Sequence, residues 1–188
     1  MVRGTFSPAR AWRLAVDPAS TRTLGLTETL PRMSSHLDTP YAALLFDELE
    51  DYEELIAALT EHVDSGKPAG AALHNRAIAN WEIGRNDEAL ADFDAAAAAL
   101  PGDYMPPKMK GSMLKQLGRL EEALASLDRA VEIAPAEATV LRTRAQIREE
   151  AGAIEGALDD LERAIAAEPS FDFTRKERER LSKKLKSG

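Results

Sequence analysis

Three histidines, His36, His62 and His74, are the first residues to test for chemistry, and no cysteine accompanies them. A zinc site needs His, Cys or carboxylate ligands at short, fixed spacings, and none of the three stands in one. The absence of thiols excludes disulfides and cysteine nucleophiles. No serine lies in a nucleophile elbow. Gly66-Lys67 resembles the end of a phosphate loop, but Pro68 stands where Ser or Thr must meet magnesium, and no glycine lies five residues before Gly66. Aspartates and glutamates are plentiful, but they fall on helix starts and outer faces, where a solvated surface explains them. The residue types therefore predict a non-catalytic chain with no metal and no cofactor.

The elements that position the remaining polar residues are set by an internal repeat. Gly84-Arg85-Asn86-Asp87-Glu88-Ala89 returns as Gly118-Arg119-Leu120-Glu121-Glu122-Ala123 and again as Gly152-Ala153-Ile154-Glu155-Gly156-Ala157. Each copy lies 34 residues after the last, and Pro101, Pro135 and Pro169 keep the same phase. Such a period marks a stack of small supersecondary units. In the first copy, apolar residues at steps of three and four predict a helix over about Leu73 to Ile83. Gly84 ends it, because glycine closes a helix in the left-handed region at no steric cost. Asp87 and Glu88 open a second helix at the positive end of its dipole, and Pro101 stops it. Small residues at Ala77, Gly111 and Ala145, and at Ala89, Ala123 and Ala157, predict close helix crossings. Phe93, Leu127 and Leu161 are the large residues expected to fill the space between units. Arg76 and Arg144 should pair with Asp92 and Asp160 inside their own units.

The 34-residue period and the run G-x-x-E-E-A-L-A-x-[FL]-D-x-A, ending in Pro, resemble the tetratricopeptide repeat. The resemblance implies an all-α, right-handed superhelical solenoid of antiparallel helix pairs. It departs from the family pattern at Leu73, Pro107 and Leu141, where a bulky aromatic is usual, and at Gly156, which replaces an acid and should weaken its helix start. The divisions are an N-terminal arm over 1–35, a degenerate capping unit over 36–69, three units over 70–103, 104–137 and 138–171, and a basic cap helix over 172–188. In the capping unit, Tyr41 to Leu49 and Glu53 to Val63 are the expected helices, with Glu50 where a turn glycine belongs.

Family resemblance also implies a concave groove lined by the first helices, in which a partner peptide lies. The fifth residue of each unit normally points into it. Here those residues are His74, Lys108 and Arg142, with Lys176 at the same step in the last helix. One turn on lie Ile78, Ser112, Gln146 and Arg180, and beyond them Trp81, Lys115, Glu149 and Lys183. This is a row of cations beside an aromatic anchor on an otherwise acidic chain, so an acidic peptide segment is the expected partner. Chaperone-binding members clamp a C-terminal carboxylate with Lys, Asn, Asn, Lys and Arg. That set would fall on His74, Ile78, Met109, Thr139 and Thr143, and none matches. Self-association through the arm or the terminal units is the alternative function, and an RNA-binding basic tail is a third.

Composition agrees with an alanine-rich helical array: 44% of residues are hydrophobic and only 5% aromatic. The formal net charge of -8 disfavours general nucleic-acid binding. It is unevenly spread, since residues 1–40 and 170–188 are both net basic while the stretch between them is strongly acidic. Arg10, Arg13 and Asp17 interrupt any signal-peptide core, and no apolar run is long enough to cross a membrane. A cytoplasmic location is expected. Trp12 and its neighbours either form a flexible arm or pack on the array.

Overall fold

The computed structural model describes residues 49–187. Among them lie eight helices: α1 (Leu49–Asp64), α2 (Gly70–Glu82), α3 (Asn86–Ala99), α4 (Met105–Gln116), α5 (Leu120–Ile133), α6 (Ala138–Glu150), α7 (Ile154–Ala167) and α8 (Asp172–Ser187). The chain divides into two compact units, residues 1–99 and 100–188. The first holds α1 to α3 and the second α4 to α8. The described residues are all-helical, and short turns make the helix pairs α2–α3, α4–α5 and α6–α7 antiparallel. The arm over 1–35, with Trp12, lies outside the described residues, as does His36. So does the expected helix over Tyr41 to Leu49, apart from Leu49 itself.

Two helix starts differ from expectation. α2 begins at Gly70 and not near Leu73. Ala71 and Ala72 carry the helix backwards, because short side chains cost no rotamer entropy there. α1 begins at Leu49, so Glu50 is helical and does not form a turn. A glutamate cannot supply the left-handed backbone that the glycines of the later repeats supply.

Those glycines close the first helix of each pair. Gly84, Gly118 and Gly152 have φ of 81°, 74° and 80°. The amide of the following residue then reaches back five positions: Arg85 N–H donates to Asn80 O at 2.8 Å, Arg119 to Leu114 at 2.9 Å and Ala153 to Arg148 at 2.7 Å. This satisfies carbonyls that a helix end leaves open. Pro106 and Pro107 sit in the first turn of α4, where a missing N–H is one of the orphans in any case.

Within the units the cores are built largely from small residues. Ala77, Ala89, Phe93 and Ala96 are fully buried in the first. Ala123, Leu127, Ala130, Ala157 and Ala164 are fully buried in the second. Gly111 marks a tight crossing: a Cβ there would stand 2.8 Å from Leu127 Cγ and 3.1 Å from the Ala123 carbonyl. Gly156 has a different use. α7 starts at Ile154 without loss of length, and the Arg148 side chain lies over the bare glycine, donating to Gly156 O at 3.0 Å.

The last helix keeps one face of the repeat and loses the other. Thr174 and Leu181, in phase with Val140 and Ile147, are buried. Leu181 joins Ala145, Ala157 and Leu161 in one apolar cluster. Arg175 and Glu179 stand in phase with the buried Leu141 and Ala145, and both are exposed. Leucine and alanine make α6 able to receive α7, whereas arginine and glutamate make the same face of α8 suited to water.

Candidate partner-binding face

Charged residues recur in two rows of equivalent sequence positions in the first helices, each compact unit taken by itself. The first row holds Arg76 and Arg144. Arg76 forks onto Asp92, with Nε at 2.8 Å and Nη2 at 2.7 Å. Arg144 forks onto Asp160 in the same way, at 2.9 and 2.5 Å. Both expected pairs are present. Each arginine also reaches sixteen residues back, Arg76 Nη1 to Thr60 Oγ1 at 3.1 Å and Arg144 Nη1 to Asp128 Oδ1 at 2.7 Å. Arg178 continues the series by donating to Glu162 at 3.0 Å. The sequence reading missed this backward bond. Its signal was there, because Asp128 and Glu162 recur at the repeat period. These arginines tie a helix pair to its neighbour, so the row is structural.

The second row is the expected binding row, and its members have different fates. In the first unit His74 is only 2% exposed and stands edge-on to Phe93, ring centroids 5.8 Å apart. Ile78 is also buried, and Trp81 is half-buried. His74 is thus a core residue, and the repeat phase alone does not reveal it, because an uncharged imidazole packs against an aromatic ring as readily as it faces water. In the second unit Lys108 is 7% exposed. Burial pushes its ammonium below the usual lysine range, with Arg142 adding to the effect and Glu137 opposing it. Ser112 is half-buried. Lys115 pairs with Glu150 at 2.9 Å and with the Gln146 Oε1 at 3.4 Å. Arg142 pairs with Glu168 at 2.7 Å and lies over the Phe171 ring, 4.6 Å from its centroid. Gln146 and Lys176 are exposed.

At the junction of α6 and α8, Glu149 and Arg180, expected on neighbouring rungs of this face, pair with each other, and Glu149 also takes Lys184, which the repeat phase did not indicate. Glu149 accepts from Arg180 at 2.8 and 2.5 Å and from Lys184 at 3.1 Å. Arg180 also donates to Glu177 at 2.8 Å. The two cations hold the Glu149 carboxyl far below the usual range, at about 2, against a smaller upward push from burial. Beside this cluster a small cleft of about 20 Å³ lies between α6 and α8. Arg142, Gln146, Glu149, Phe173, Thr174 and Leu181 are among its walls. The Thr174 hydroxyl is buried there with no hydrogen-bond partner among the described residues. Phe171 and Phe173 stand at the α8 start, both exposed, with centroids 6.2 Å apart. Among the described residues no three His, Cys, Asp or Glu side chains gather as metal ligands, and no helix is long and apolar enough to cross a membrane.

Residues 110–186 match the family model of the tetratricopeptide repeat. No curated protein matches the sequence. Solved structures share the fold. A tetratricopeptide repeat protein from Parabacteroides merdae superposes with a TM-score of 0.66 at 18% identity, over 85% of this chain and 60% of that one. MamA from Desulfovibrio magneticus superposes at 0.65 and 20% identity, over 87% and 88%. The first tetratricopeptide domain of Spaghetti (RPAP3), solved bound to the HSP90 peptide SRMEEVD, superposes at 0.57 and 22% identity, over 62% and 92%.

Proposed function

We propose that this tetratricopeptide-repeat protein is a non-catalytic adaptor that holds an acidic peptide segment of a partner on the first-helix face of its repeats. The observation that carries the reading is the chemistry of that face in the second unit. Lys115, Arg142, Lys176 and Arg180 occupy it beside the exposed rings of Phe171 and Phe173. Cations next to an aromatic anchor are the usual energetic centre of a peptide site. A domain of the same fold, RPAP3, is solved with a peptide that contains three acidic residues. The carboxylate-clamp residues of chaperone-binding domains are missing here, so the reading places the negative charge within the segment and not at its terminus.

The test is selection of a random peptide library on the immobilised protein. The reading expects binders enriched in Asp and Glu, whose binding fades as salt rises. It also expects a Lys115→Gln, Lys176→Glu, Lys183→Glu variant, folded by circular dichroism, to lose them. Neutral or basic binders, or acidic binders retained by the variant, would remove the charged face from the account. Lys108 stays out of this variant because it is buried, and reversing its charge would unfold the helix it sits on.

A further inference from the structure

The binding cations of the second unit already have carboxylate partners from their own chain. Glu150 sits on Lys115, Glu168 on Arg142, and Glu149 on both Arg180 and Lys184. The last of these is the most complete. The Arg180 guanidinium presents two N–H groups to the two oxygens of Glu149, and the Lys184 ammonium adds a third bond to one of them. A planar fork with a neighbouring ammonium is a receptor for a carboxylate of any origin. The receptor is open to solvent, since the Arg180 and Lys184 side chains are 47% and 53% exposed. It borders the cleft between α6 and α8, whose wall carries the buried and unpartnered hydroxyl of Thr174.

From this arrangement we infer that Glu149 is an internal competitor, occupying the Arg180–Lys184 receptor until an acidic side chain of a peptide lying across the exposed cations of α8 takes its place. This rests on the acidic-peptide reading above and names its receptor. The exchange keeps the number of ion pairs at Arg180 and Lys184 constant, so the ligand gains only the difference between its own carboxylate and Glu149. Affinity for a single acidic residue is therefore held low, and a segment must supply several carboxylates to displace Glu149, Glu150 and Glu168 together. The device selects acidic runs over isolated acids. Charge complementarity identifies the occupant: α8 carries seven Lys or Arg against three acids, and Lys176 and Lys183 are exposed on it.

The probe is a fluorescein-labelled hexaglutamate, followed by fluorescence anisotropy at low ionic strength. Glu149→Gln should bind it severalfold more tightly than wild type, and Arg180→Gln/Lys184→Gln should bind it more weakly. In the triple variant the gain from Glu149→Gln should vanish, because no freed receptor remains. Wild-type binding with no gain from Glu149→Gln would overturn the exchange and leave the acidic-peptide reading standing. A gain that survives in the triple variant would reduce the effect to net charge and also overturn it. Binding by none of the proteins would remove both. A second readout needs no variant. Carboxyl-carbon NMR of wild type at neutral pH should show the Glu149 resonance move under saturating hexaglutamate, as that carboxylate leaves Arg180 and Lys184 for water. A resonance unmoved by the peptide would show that Glu149 only pins α8 to α6.

Discussion

Arg144 and Asp160 meet in a two-point fork inside the second unit, and Asp160 is completely buried there. Arg148 adds a further bond to Asp160 at 2.8 Å, and Arg163 approaches to 3.8 Å. One carboxylate thus serves α6 from two positions. Burying it is tolerable only because the cations surround it. Asp160→Ala should therefore destabilise the protein by about 3–5 kcal/mol, since it strands a buried arginine. Urea denaturation at neutral pH measures this, and a loss below about 1 kcal/mol would show that water replaces the carboxylate. Replacing Arg144 and Asp160 together with Met and Leu should recover part of the loss, limited by Arg148, which keeps facing the site.

Glycines at three places should respond in three ways. Gly118→Ala forces a left-handed backbone on an L side chain, at a cost of about 1–2 kcal/mol, although nothing lies within 4 Å of the added methyl. Gly111→Ala has an ordinary helical backbone but drives a methyl into Leu127 and the Ala123 carbonyl, which overpacking prices at about 1–3 kcal/mol. Gly102→Ala meets neither obstacle and should leave the melting temperature within about a degree, or raise it slightly, by restricting the unfolded chain. Thermal melts of the three variants separate the causes. Equal losses at Gly102 and Gly118 would refute the backbone argument.

The repeat made most of the fold legible. The period located every turn glycine from Gly84 onward, and the small-residue phase found the close crossing at Gly111. It also gave the pairs Arg76–Asp92 and Arg144–Asp160, because both partners lie inside one unit. Contacts between neighbouring repeats were harder to read, because they depend on side-chain reach as well as on phase. The bonds from Arg144 to Asp128 and from Arg180 to Glu149 fall in this class. His74 was misplaced for another reason: phase fixes the direction of a Cβ, but Phe93 decides whether the ring beyond it turns inward. The start of α1 was obscured because its sequence lacks the glycine that punctuates the later units.

Lys108 offers a gain of stability. Its ammonium is buried, and burial lowers its affinity for a proton more than Glu137 restores it. The folded state therefore resists the charged form at neutral pH. Lys108→Met keeps the length of the side chain and removes the charge, so it should stabilise the protein by about 1 kcal/mol or more. The sign with pH follows. The folded-state value lies below the unfolded one, so the penalty is present at neutral pH and fades as pH rises through the folded value towards about 10.4. The advantage of methionine should shrink over the same range. Chemical denaturation at pH 7 and pH 10 measures it, and an advantage that grows with pH would contradict the burial argument.

Acid should release α8 before it unfolds the rest. Only Thr174 and Leu181 of that helix are buried, so its attachment leans on ion pairs at Glu149 and Glu162. Arg180 and then Lys184 depress the Glu149 value to about 2. A carboxyl with a depressed folded value contributes stability that is fully present above its unfolded value, about 4.3, and is lost as pH falls towards about 2. The protection of α8 amides, taken against the intrinsic exchange rate at each pH, should accordingly fall between about pH 4.3 and 2 while α6 and α7, held by Leu161 and its alanine neighbours, stay protected. High salt at neutral pH should act in the same direction but less strongly, because the Glu149 side chain is itself four-fifths buried and so is screened only in part. Glu149→Gln should remove most of the pH dependence of α8 while leaving that of α6 unchanged. Protection lost together in α6, α7 and α8 would show instead that the second unit opens as one body and that Glu149 holds no separate latch.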